Sequence, residues 1–197
     1  MALETFVTAG DQTKKAAAID PKELRRACGA FATGVTVITA RDGAGDHGMT
    51  ANAFMSVSLD PPLIVVSVNR KARLLAKIEA AERFGVSILA EHMEPVAWHF
   101  AGKPKPELTD LFQDFHGLPV IRGAVAHFAI RLHQAVDGGD HMLFIGAVEG
   151  LSRTEGRPLI FHEGRFGALP RPGWTQSSWP PGLVGDALTY FDEMPEF

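Results

Sequence analysis

The sequence holds one cysteine, Cys28, in 197 residues. No disulfide can close within the chain, so packing alone must hold the fold. A lone thiol of this kind reads as a small buried hydrophobe rather than a nucleophile. Long apolar runs are missing, and none approaches the roughly 20 residues a membrane-spanning helix needs. Excess charge of one sign is missing too. Lys and Arg number 19 against 23 Asp and Glu, a formal net charge of −4, which gives no electrostatic footprint for nucleic acid or an anionic membrane. The opening MALETFVTAGDQTKK lacks the basic-then-apolar order of a secretory signal. These absences lead to the expectation of a soluble, cytoplasmic protein. Metal spacing is not found among the eight histidines. His92 and His99 stand seven apart, and His127, His133 and His141 fall on strand-like segments with no cysteine nearby and no HExxH. No G-x-S-x-G elbow marks a hydrolase nucleophile, and no internal repeat occurs.

What the chain does have is apolar content, 46%, enough for one substantial core. Residues 1–19 read as a flexible lead-in, 20–169 as one domain, and 170–197 as an irregular extension carrying Trp174 and Trp179. Asp20-Pro21-Lys22-Glu23 has the form of a helix start: cap, first-turn proline, and a glutamate placed for a capping box. That helix is expected to reach about Phe31. Val35–Ala40, Leu63–Val68 and Phe84–Leu89 are β-branched, apolar and short, hence buried strands. Asn69 is placed to cap a short helix bearing Leu74, Leu75 and Ile78. Pro95–Phe100 suggests a helical turn. From His127 to Val136 apolar and polar residues alternate with period two, Asp137-Gly138-Gly139-Asp140 turns the chain, and Met142, Phe144 and Val148 share a face of the return strand. Leu159–His162 is a further strand. Many strands, few helices and hairpin-sized connections predict a mainly β, antiparallel sandwich or barrel rather than βαβ units.

One stretch invites another reading. Gly43-Ala44-Gly45-Asp46-His47-Gly48 is a literal G-x-G-x-x-G after a buried strand, the written form of a dinucleotide fingerprint. That motif works only where a helix follows, because the helix N-terminus holds the pyrophosphate. Here Pro61-Pro62 ends any helix early, no apolar stripe of period 3.6 follows, and the acidic residue about 20 positions on is missing. The glycines are therefore expected to form a hairpin loop.

Three constellations could carry chemistry. Thr50, Asn52, Ser56 and Ser58 alternate along Gly48–Pro62, so an extended segment sets them on one face; they suit a polar heterocycle or a phosphate, or equally a hydrated edge strand. Asn69-Arg70-Lys71-Ala72-Arg73 puts three cations at a helix start, against the dipole. A bound anion would resolve that conflict, and a solvated basic turn is the alternative. His141 follows a glycine turn at the start of a strand, where it is either at a cavity mouth or a structural histidine.

Taken in order, these stretches are similar to the flavin reductase-like family, which includes the small reductase components of two-component flavin-dependent monooxygenases. The matching residues are Phe31-Ala32-Thr33-Gly34-Val35-Thr36-Val37, Gly48 to Phe54 running on through Ser56 to Leu63, Gly139-Asp140-His141 with Phe144, Gly146 and Val148, and Gly164-Arg165-Phe166-Gly167. The resemblance spans about residues 20–169. It implies an FMN-binding split β-barrel with a few short flanking helices. It implies an NAD(P)H:flavin oxidoreductase that reduces FMN or FAD with NADH or NADPH and supplies a partner oxygenase. It also implies a homodimer with flavin near the interface. By the same resemblance Thr50, Ala51 and Asn52 line the flavin ring. Ser56, Val57 and Ser58, with Asn69, Arg70, Lys71 and Ala72, hold the flavin phosphate. Phe100, Ala101 and Gly102 form a further flavin-contacting segment. His141 and Phe166 lie on the open side of the ring near the nicotinamide. The family often has Tyr where this chain has Phe166, so a hydroxyl role there is lost. Two rival readings stand beside this one: a flavin binder on the same barrel without turnover, and a haem- or F420-binding split barrel.

Overall fold

The structure is a computed structural model that describes residues 19–169. The expected tail from 170, with its two tryptophans, and nearly all of the expected lead-in lie outside the described residues. Helix α1 (Pro21–Gly29) begins as the sequence predicts: the Asp20 side chain accepts from the Lys22 amide at 2.9 Å. It ends two residues short of Phe31, and Glu23 pairs forward with Arg26 at 2.8 Å instead of back to the cap. No residue of α1 is buried. Cys28 is exposed, which corrects the expectation of a buried thiol. Among the described residues no layer packs over the helix, and the Glu163 amide, donating to the Gly29 carbonyl at 3.0 Å, fastens its end.

Strands β1 (Thr33–Gly34), β2 (Thr36–Asp42), β3 (Gly45–Ala51), β4 (Phe54–Leu59) and β5 (Pro62–Asn69) follow, then α2 (Arg73–Ala81), β6 (Arg83–Ile88) and α3 (Glu94–Phe100). The chain continues with β7 (Phe112–Phe115), β8 (Leu118–Ile121), β9 (Ala126–Gly138), β10 (His141–Arg153), β11 (Leu159–His162) and β12 (Arg165–Ala168). Seven strands form one antiparallel sheet in the order β3-β2-β6-β9-β10-β5-β4. Its two edge strands, β3 and β4, are joined by Asn52 and Ala53 alone. A two-residue link cannot span an open seven-stranded sheet, so the sheet curls until its edges meet. No ladder bonds pair β3 with β4, and the result is an antiparallel barrel split along that seam.

Strand alternation builds two cores. Ile38, Ala40, Ile64, Val66, Val68, Phe84, Val86, Ile130 and Phe144 fill one, joined by Leu74 and Ile78 of α2. Val35, Val37, Leu89, Val96, Ala97, Ile121 and Leu159 form the other, beneath α3 and the short outer strands. β2 feeds both: Val37 enters the second core and Ile38 and Ala40 the first, while the buried Thr36 and Thr39 hydroxyls donate to the Ala51 and Pro119 carbonyls.

Three local expectations change. The Gly43–Gly48 loop contracts to a tight turn, with Gly45 and Gly48 inside β3 opposite Asp42 and Thr39. Asn69 caps a turn rather than the helix: its side chain accepts from the Lys71 amide at 2.9 Å, while α2 starts at Arg73 with no side-chain cap. The β7–β8 hairpin has no counterpart in the sequence reading.

Candidate functional site

The seam is where the structure opens. Among the described residues β3 is an edge strand, so its outer N–H and C=O groups have no ladder partner there and are offered to a ligand. Facing that edge lies a pocket of about 230 Å³ lined by Val35, Thr50, Ala51, Asn52, Trp98, Ala101, Phe161, Gly164 and Phe166. Its walls are aromatic. Trp98 meets Phe166 edge-on, centroids 5.0 Å apart at 82°, and Phe166 meets Phe161 at 5.3 Å. Lys103 covers one face of Trp98 with its ammonium 3.7 Å from the ring centroid, and Trp98 Nε1 donates to Glu94 at 3.0 Å.

The elements hold this geometry by specific bonds. Thr50 Oγ1 donates to the Ala97 carbonyl at 2.7 Å, and Thr36 Oγ1 to the Ala51 carbonyl at 2.7 Å. The first ties β3 to α3. The second locks the last residue of β3. With its hydroxyl committed, Thr50 offers a ligand its backbone. Asn52 is exposed at the mouth and lines both this pocket and a larger cavity of about 920 Å³ beside it.

Of the residues singled out in the sequence, the structure brings together Thr50, Ala51, Asn52, Ala101 and Phe166. Phe100 packs behind the site: its ring would be 2.7 Å from a Cβ placed on Gly48, and it stacks against Phe112 at 5.6 Å. Gly102, at φ 87°, turns the chain after α3 without lining the pocket. The remaining candidates separate along β5. Ala53 accepts from the Ser67 amide at 3.2 Å, which marks the seam. Ser56 pairs with Ile64 and Ser58 with Leu63, with Val57 in a bulge between them. Asn69 pairs with His141, beyond Ser67 in the other direction. Leu63 and Asn69 are six residues apart, about 20 Å along a strand. Within one chain, therefore, the Ser56–Ser58 group and the Asn69–Ala72 group cannot grip one phosphate together.

The Asn69 end is a charge network. Arg70 pairs with Asp137 at 2.5 Å and donates from Nε to the Gly139 carbonyl at 2.8 Å. The Gly139 amide and Arg70 hold the Asp137 carboxyl below its ordinary range. His141 Nδ1 lies 2.7 Å from Asp140, whose carboxyl is lowered chiefly by that hydrogen bond. Arg70 is thus already partnered, Lys71 makes no ion pair among the described residues, and His141 is half-buried outside the lining of the seam pocket.

A model of the flavin reductase like domain matches residues 28–170. The chain belongs to the flavin reductase-like domain family. Similar members include an NADH-dependent flavin reductase of a Rhodococcus species, 44% identical over 154 residues, covering 77% of this chain and 88% of that one. The reductase component of 4-hydroxyphenylacetate 3-monooxygenase from Thermus thermophilus is 41% identical, covering 76% and 97%. Among solved structures, a Streptomyces globisporus NADH:FAD oxidoreductase in complex with NAD and FAD fragments superposes with a TM-score of 0.72 at 37% identity. It covers 80% of this chain and 99% of that one.

The sequence did not assign Val35, Trp98 or Phe161 to the site, and it offered Gly164 only as part of the motif around Phe166. Trp98 had a signal, since it stands three positions before Ala101 at helical spacing. Phe161 faces Phe166 across the β11–β12 hairpin, a pairing that follows from the strand Leu159–His162 and a turn at Glu163-Gly164-Arg165.

Proposed function

We propose that the seam pocket is the flavin-ring site of an NAD(P)H:flavin oxidoreductase that supplies reduced FMN or FAD to a separate oxygenase component. The observation that carries this reading is the combination at the seam: an edge strand with free backbone groups facing aromatic walls, in a chain of the flavin reductase-like family. A planar, amphipathic ring fits such a pocket, with apolar faces for Trp98 and Phe166 and polar edges for the β3 backbone. Bound flavin supplies the hydride acceptor, so no side chain need act as a strong acid or base. The outer amides of β3 at Thr50–Asn52 donate to the ring edge and stabilise negative charge there. Ala101 and Phe166 set the ring's plane and keep water off it. His141 positions the nicotinamide, its ring fixed by Asp140.

Ser56, Val57 and Ser58 and the Asn69, Arg70, Lys71, Ala72 turn remain the phosphate-holding groups. They serve one phosphate only if two copies of the chain contribute. A homodimer paired along β4 fits this requirement. Met55, Val57 and Leu59 are 60%, 46% and 62% exposed on that strand, more apolar surface than a solvated edge carries without a partner. No helix among the described residues is long and apolar enough to cross a membrane. A cytoplasmic enzyme drawing on the nicotinamide pool follows from the same reading.

The test is loss of nicotinamide absorbance with purified protein and each pairing of FMN or FAD with NADH or NADPH. At least one pairing is expected to show flavin-dependent oxidation. Tight flavin retention with no oxidation in any pairing would favour the flavin binder without turnover.

A further inference from the structure

The 230 Å³ pocket lies below the roughly 300–1,000 Å³ typical of small-molecule sites. It holds a ring, but not a flavin and a dinucleotide together. The adjoining 920 Å³ cavity shares Asn52, Phe161 and Gly164 with it, so the two lie side by side with these three residues between them. The larger cavity's far wall is α1, and that wall is unusual. Lys22, Arg25, Arg26 and Gly29 line the cavity at spacings of three, four and seven, which is one face of a helix. Surface helices ordinarily turn an apolar stripe inward. α1 turns its cations toward the cavity and leaves Leu24 54% exposed. Arg26 is paired with Glu23, while Lys22 and Arg25 make no ion pair among the described residues. Phe31, 77% exposed, lines the same space. Glu163 is the carboxylate facing the cations there.

We infer that this cavity takes the adenosine-diphosphate half of a dinucleotide whose other half reacts at the seam, a reading that rests on the reductase assignment above. Lys22 and Arg25 hold the pyrophosphate by charge-assisted hydrogen bonds. Phe31 gives the adenine a face on which to stack. Glu163 accepts from ribose hydroxyls. NADH and FAD both carry this chemistry, and the probes must tell them apart.

The variant is Lys22→Ala with Arg25→Ala, two exposed positions whose loss leaves the fold standing. The readouts are the KM ratio of NADH to reduced nicotinamide riboside, and the Kd ratio of FAD to riboflavin, the smaller compounds having no phosphate. The smaller member of each pair lacks the adenylate half. Removing charge-assisted bonds is expected to raise one ratio about tenfold or more. A rise in the first assigns the cavity to the nicotinamide nucleotide, and a rise in the second assigns it to FAD. If neither ratio moves, the proposal is overturned.

A readout independent of turnover comes from Cys28, the chain's one cysteine, exposed and lining the same cavity. ADP-ribose is expected to slow its alkylation by iodoacetamide in the wild-type chain and not in the double variant. If the wild type oxidises no nicotinamide nucleotide, the reductase reading has failed, and this protection alone decides. Protection lost in the variant keeps the adenylate site. No protection in the wild type removes it.

Discussion

Individual residues carry the sharpest expectations. Gly48 belongs to the written fingerprint, yet its role is steric. A Cβ there would sit 2.7 Å from the Phe100 ring and 3.2 Å from Val37, whereas Gly43 meets nothing within 4 Å. Gly48→Ala is expected to lose about 1–3 kcal/mol in denaturant unfolding through overpacking, and Gly43→Ala to stay near wild type. Asn52 is exposed between the two cavities, so Asn52→Ala should weaken flavin binding while leaving unfolding unchanged. Replacing His141 by Ala should slow reduction more than it weakens flavin binding. The opposite order would move His141 out of the nicotinamide site. Thr50, Ala51 and Asn52 line one pocket because a short motif keeps neighbours in sequence as neighbours in space, whereas Ala101 and Phe166, far away in the chain, were placed beside them only by the family resemblance. Cys28 was misread, since nothing in the local sequence tells that α1 has no layer packed on it.

At the level of elements, turns and strands followed their local chemistry. Asp20 and Pro21 start α1, and Asp137 to Asp140 turn β9 into β10. The β7–β8 hairpin escaped notice because Phe112–Phe115 and Leu118–Ile121 are four residues each, too short to show a period, and are fixed by long-range contact. The Thr39 hydroxyl donates to the Pro119 carbonyl, and Ser87 accepts from the Ile121 amide at 2.9 Å. The tie between β3 and α3 is testable. Thr50→Val leaves the Ala97 carbonyl without its 2.7 Å donor and should cost about 1 kcal/mol, with flavin binding weakened as α3 loosens. The β2–β3 turn has an acid-sensitive clasp. The Lys77 ammonium, then the Ala44 amide, hold the Asp42 carboxyl well below its usual range. A carboxylate depressed in the folded state contributes stability above its unfolded value, about 4, and loses it as pH falls through the folded value. The stability difference between wild type and Asp42→Asn should therefore hold level from neutral pH down to about 5 and shrink as the pH falls below about 4.

For the whole molecule, the decisive fact is the chain-adjacency of the two sheet edges. Antiparallel β content was readable from period-two patterning. The closing of β3 toward β4, and the placing of Asn52 on the seam, depend on a strand order that no window of sequence contains. The same order sends the two phosphate-binding candidates to opposite ends of β5, which alternation along the chain could not reveal. It also leaves β4 with exposed Met55 and Leu59. The dimer proposed along β4 predicts that the wild type sediments as a dimer and a Met55→Lys, Leu59→Lys variant as a monomer. The central claim is that flavin is reduced in the seam pocket. Ala101 is exposed at the end of α3 and lines that pocket, so Ala101→Trp fills the pocket without entering either core. The direct measurement is the rate of NADH-driven flavin reduction under anaerobic stopped flow, wild type against Ala101→Trp, with unfolding midpoints matched. The account predicts rapid reduction in the wild type and loss of both flavin binding and reduction in the variant. Equal rates in the two proteins would contradict it.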